Sequence, residues 1–135
     1  MTTPRGLRNN NPGNIERTSV KWKGMAADQS SDPRFIVFTA PQWGIRAIAR
    51  ILLGDWREGQ DTIASLIHEW APPVENDTDA YVKAVGSSCR VDPYAPCDIP
   101  DLLPALIAGI IRHENGSQPY SLETIQLGID LERSA

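Results

Sequence analysis

The sequence is poor in the side chains that bind metals and attack as nucleophiles. It holds two histidines and two cysteines in 135 residues, with no CxxC pair and no Cys/His cluster, so a structural zinc site is not expected. His113 and Glu114 begin as the zinc-protease motif HExxH does, but position 117 is Ser, and without its second ligand that reading falls away. His68, on an amphipathic segment, reads as a surface or hydrogen-bonded histidine. No GxSxG elbow, GxxxxGK or GxGxxG loop occurs, which removes the usual signatures of serine hydrolases and of nucleotide binding. No apolar run approaches about 18 residues, and "MTTPRGLRNNNPGN" has no apolar stretch. Neither membrane insertion nor a cleavable signal peptide is therefore expected, and work at the cell wall or in the periplasm would need another delivery route. A basic excess is missing too: the net charge of −4 argues against nucleic acid as the main partner. No cofactor is implied, and the chemistry is left to carboxylates.

What remains is an ordinary globular composition, 41% hydrophobic and 22% charged, in a chain of a length that suits one domain over residues 1–135. "NNNPGN" supplies turn residues. From Ile15 to Phe38, "NIER", "VKWKG" and "RFIVF" predict a small antiparallel lobe of two or three strands. Beyond Ala40 the apolar period becomes helical. "PQWGIRAIARILLGDWREG" opens with Pro41 and closes at Gly59, and "DTIASLIHEWA" has Asp61 or Thr62 as cap and stops at Pro72 and Pro73. A third helix begins near Asn76–Thr78, and a fourth runs from about Asp101 through His113 to a left-handed Gly116. The fifth starts at Ser121. The expected class is α+β, mainly α, with about five helices. Cys89 and Cys97, in the turn-rich "SSCRVDPYAPC", suit either one disulfide or two free thiols.

Glu114 is the residue out of place. It ends an apolar helix, near the negative end of the helix dipole and among apolar neighbours, and both effects favour a carboxylic acid able to hold a proton and give it to a leaving oxygen. A solvated Glu paired with Arg112 is the plainer alternative. Asn10, Asn11 and Asn14 either grip the hydroxyl and acetamido groups of a sugar or only cap a strand. Of the large rings Trp22, Trp43, Trp56, Trp70, Tyr81 and Tyr120, the helical ones read mostly as core.

Taken in order, "RGLRNNNPGNI", "WKG", "FIVFTAPQWGIRAIARIL", "WAPPVENDTDAYVKAV" and "IIRHENGSQPYS" resemble phage and prophage peptidoglycan-degrading proteins with a lysozyme-like fold, muramidases and virion-associated lytic proteins, over nearly the whole chain. The cysteine-bearing loop departs from that pattern. The blocks also resemble glucosaminidases similar to the flagellar peptidoglycan hydrolase, in which an apolar helix ending in the acid precedes the Asn, Trp-Lys-Gly and Phe-rich segments. Here the acid-bearing helix comes last, so the resemblance implies a circular permutation that sets the Asn loop beside Glu114. It further implies cleavage of glycan strands by a muramidase or lytic transglycosylase, with Glu114 as general acid, and Asn10, Asn11, Asn14, Tyr81 and Tyr120 on the substrate. Glu16, Asp28 and Asp32 are candidates for a second carboxylate, which hydrolysis needs and a transglycosylase does not. The implied partners are peptidoglycan and an immunity or virion protein, with the chain a monomer. The alternative is a virion structural or glycan-binding protein that keeps the fold without activity.

Overall fold

The computed structural model describes residues 3–71 and 76–134. Six helices occur among them: α1 (Arg5–Arg8), α2 (Pro41–Arg57), α3 (Ile63–Trp70), α4 (Thr78–Cys89), α5 (Ile99–Asn115) and α6 (Leu122–Arg133). Their starts follow from side chains that take up the first free N–H groups. Thr62 accepts from Ser65, Asp77 from Ala80, Asp98 from Asp101 and Ser121 from Thr124. Gly116, at φ 76°, ends α5 in the left-handed conformation expected of it. The expected stop at Pro72 and Pro73 lies outside the described residues. α4 runs as far as Cys89, so the cysteine segment is partly helix rather than all loop. Cys89 and Cys97 are free thiols, Cys89 buried and Cys97 partly so.

α5 is the central helix. Leu103, Leu106, Ile107, Ile110 and Ile111 are all fully buried, and they meet Ile45, Ile48 and Leu52 of α2, Val82 and Val85 of α4, and Ile125 and Ile129 of α6 in one apolar cluster. A smaller cluster of Ile36, Phe38 and Ala47, flanked by Trp22 and Trp43, joins the 15–38 segment to α2. No helix among the described residues is long and apolar enough to cross a membrane.

The expected antiparallel lobe does not form as a sheet. Between Ile15 and Phe38 only two isolated bridges occur, Glu16 with Phe35 and Met25 with Phe38. Scattered backbone bonds, such as Arg17 to Arg34, Ala26 to Val37 and Ile36 to Ile15, join its parts, and side chains supply partners where a ladder would continue. Gln29 donates to the carbonyls of Ala26 and Val37 and accepts from the Val37 N–H. Arg17 reaches the carbonyls of Asp32 and Phe35. Asn11 donates to the carbonyls of Ile15 and Ile36. Buried backbone groups must find partners, and here polar side chains from the segment and from the preceding Asn loop supply part of them.

Candidate functional site

α5 carries Glu114 out of the core and into the wall of a cleft of about 850 Å³. Both carboxyl oxygens are held. The Tyr81 hydroxyl donates to Oε2 at 2.8 Å, and the Asn14 amide donates to Oε1 at 3.0 Å from a residue 100 positions away. Pairing with Arg112 plays no part in this. Tyr81, on α4, is itself fully buried. Burial, with the nearby Glu114 charge, pushes its phenol far above the ordinary range, so it remains a donor at every working pH. The exposed His113 ring stacks on Tyr81 with centroids 3.8 Å apart, covering it from solvent.

The Asn loop is built by asparagine for a backbone reason. Asn10 and Asn14 have φ of 53° and 50°, the left-handed region that Asn tolerates better than other side-chain-bearing residues. The side chains then divide. Asn11 is fully buried and spent on the Ile15 and Ile36 carbonyls, and Asn10 donates to the Phe38 carbonyl at 3.1 Å. Neither lines the cleft, which corrects their expected place on the substrate; Asn14 does line it. Tyr81 is corrected likewise, because its buried hydroxyl touches Glu114 and cannot meet a ligand. Tyr120 packs half-buried against the main core and stands outside the cleft lining.

Of the three candidate second carboxylates, one reaches the cleft. Glu16 lines it and pairs with Arg34 at the mouth, both side chains about half exposed at 54% and 48%, an arrangement worth at most about 1 kcal/mol. Asp28 is exposed and bound up with Ser30, outside the cleft lining. Asp32 is 3% exposed and clasped by Arg5, so it is structural. Sequence reasoning missed two further carboxylates in the lining, Asp55 of α2 and Glu69 of α3, which line the cleft with Ile51 and Trp70. Asp55 was within reach: it lies three and four places beyond Leu52 and Ile51, so a carboxylate continues an apolar helical stripe. Glu69 is exposed on a short amphipathic helix and carries no such signal.

Burial raises the Asp55 carboxyl above its usual value, with repulsion from Glu69 and Glu58 adding to it. A raised native value means that ionised Asp55 works against folding at neutral pH, a penalty that disappears once pH falls below the unfolded carboxyl range of about 4. Asp55→Asn is thus expected to raise the melting temperature at pH 7 by a few degrees, about 1 kcal/mol at most given partial solvent screening. The gain should fade at pH 3 in the same thermal scan.

The cleft is lined by Glu114 and Asn14, by Glu16, Arg34 and Phe35 of the loop segment, and by Asp55, Glu69 and Trp70 of α2 and α3. It offers a carboxyl group in a fixed pose, further carboxyl groups in the same cleft, and aromatic surface. No group of three or more His, Cys, Asp or Glu among the described residues is placed to hold a metal ion. No protein-family model matches the sequence. A curated protein of Pseudoalteromonas phage PM2, protein P5, is 38% identical to it over 130 residues, an alignment that takes in 93% of this chain and 80% of that protein.

Proposed function

We propose, from the premise that this chain belongs to the family of protein P5 of Pseudoalteromonas phage PM2, that it cleaves the glycan strands of peptidoglycan, with Glu114 as the general acid. The observation that carries the reading is the pose of Glu114: a carboxyl at a cleft wall, gripped on one oxygen by a buried tyrosine and on the other by an asparagine from the far end of the sequence. A surface glutamate with no task does not need two dedicated donors. In the proposed reaction the protonated carboxyl gives its proton to the glycosidic oxygen as the bond to the muramic acid ring breaks. Glu16, Asp55 or Glu69 can direct a water molecule at the ring from within the same cleft; without such a base, the substrate's own hydroxyl closes an anhydro ring. Trp70 offers a face for a sugar to stack on. Phage kinship favours release into the cell wall from within an infected cell or from a virion.

The decisive experiment is mass spectrometry of peptidoglycan digested with purified protein. Reducing muramic acid ends identify a muramidase, and 1,6-anhydro ends a lytic transglycosylase. Strands left intact leave a glycan-binding or structural virion protein.

Tyr81 acts on the acid and not on the substrate, which separates its kinetic effects. Tyr81→Phe keeps the buried ring and removes a hydrogen bond to the carboxylate that proton transfer leaves on Glu114, an interaction of about 1.5–3 kcal/mol. Steady-state kinetics should show kcat down by about tenfold or more, with KM within about twofold.

A further inference from the structure

The side chain that holds the acid is itself held by an absence. Asn14 donates through Nδ2 to Glu114, while its Oδ1 is buried with no hydrogen-bond partner among the described residues, as is Oδ1 of Asn115. Both amide oxygens converge on Gly6 in α1. A methyl group placed there would lie 2.5 Å from Asn115 Oδ1, 2.8 Å from Asn14 Oδ1 and 2.9 Å from the Asn11 carbonyl oxygen. Real side-chain carbons do not approach oxygens so closely, so some neighbour would have to move.

Which one moves follows from what each is tied to. Asn115 is anchored by two donations through its own Nδ2, to the Pro12 carbonyl at 2.8 Å and the Ile111 carbonyl at 2.9 Å. The Asn11 carbonyl accepts the Asn14 N–H at 2.9 Å, and the Asn11 side chain is pinned at both ends. The Asn14 side chain has one hydrogen bond, the one to Glu114. It yields first. Turning its amide over does not relieve the contact, because Nδ2 would then take the place of Oδ1.

We propose that Gly6 is a positioning residue for the acid: by lacking a side chain, it admits the Asn14 and Asn115 amide oxygens and so keeps the Asn14 amide aimed at Glu114. The inference rests on the reading of Glu114 as the general acid. α1 is therefore part of the site although none of its residues lines the cleft.

A double-mutant cycle tests this. Gly6→Ala, Asn14→Ala and the double variant are compared with the parent on soluble peptidoglycan strands. Gly6→Ala should lower kcat by about tenfold or more, the scale on which small displacements of a reacting group act, and leave KM within about twofold. In the Asn14→Ala background the same substitution should cost several-fold less kcat than in the parent, because the amide it displaces is gone, while its contacts with Asn115 and the Asn11 carbonyl are common to both backgrounds. An equal loss in both backgrounds, or no loss in the parent, overturns the proposal. If Gly6→Ala alone fails to fold, recovery of folding in the double variant shows the same coupling, and a double variant just as unfolded overturns it. Glu114→Gln is assayed alongside. Activity surviving in that variant removes the acid itself, whereas its loss together with an additive cycle removes only the role of Gly6.

Discussion

Glu114→Gln leaves peptidoglycan suspensions as turbid as buffer does, while the protein keeps its circular dichroism spectrum and its melting temperature to within a few degrees. This is the largest effect expected. A glutamine matches the carboxyl in shape and can keep both neighbours, its oxygen accepting from the Asn14 amide and its NH2 group donating to the Tyr81 oxygen, but it has no acidic proton to give. General acid catalysis contributes about 10²–10⁴-fold, so the residual rate should fall below detection in a turbidity assay. Clearing at even a tenth of the parental rate would sink the assignment of Glu114. The fold should tolerate the change because the residue is only partly buried and forms no ion pair.

Asp32→Ala is expected to do the opposite, destabilising the protein without touching the chemistry. Arg5 grips Asp32 through two nitrogens at 2.6 Å each, Asn9 donates at 2.8 Å, and the backbone N–H groups of Arg34 and Phe35 both donate to Oδ1 at 2.8 Å. Removing a buried partner of this kind costs about 3–5 kcal/mol. Arg5 is 38% exposed, so solvent screens part of the loss and about 2–3 kcal/mol is the better figure. Against a total of about 5–15 kcal/mol that is a fall in melting temperature of roughly 10 °C. The Arg5 guanidinium, followed by the backbone donors and Asn9, holds the Asp32 carboxyl well below the ordinary carboxylate range despite its burial. With the native value depressed, the unfolded chain takes up the proton first as pH falls. The stabilisation is therefore complete above about pH 5 and lost progressively below about pH 4. Thermal scans from pH 7 to pH 2.5 should show the parent losing stability over that range and Asp32→Ala losing less, the two curves drawing together in acid.

The helices were legible in the sequence because each is specified locally, by an apolar stripe and a capping side chain a few residues apart. Thr62, Ser121 and Gly116 stand where that grammar puts them. The sheet was not legible, since "RFIVF" and "VKWKG" have strand composition while scattered backbone bonds are completed by Gln29, Arg17 and Asn11, side chains whose reach no alternation pattern records. The site divides in the same way. Glu114 stood out as a carboxylate ending an apolar helix, and the resemblance placed the Asn loop beside it; but asparagines look alike as letters, and what separates Asn14 from Asn10 and Asn11 is the partner each side chain reaches, Glu114 for the first and backbone carbonyls for the other two. Tyr81 reads as a core aromatic from its helix alone, and it is one. Its bond to a residue 33 positions away is a tertiary fact. Asp55 was visible as a break in the stripe of α2 and was overlooked because the acidic candidates were sought in the loop segment.

The bond between Asn14 and Glu114 spans 100 residues, and on the proposed reading this bears on when the protein becomes dangerous to the cell that makes it. During synthesis at about 5–20 residues per second, the loop exists for several seconds before the helix bearing its partner has emerged. Closing so long a span is among the slower steps of folding. An unfinished chain carries an asparagine loop with no acid, or an acid without its brace. Lytic competence, on the proposed reading, arrives only with the completed fold, a safeguard written into the order of the chain.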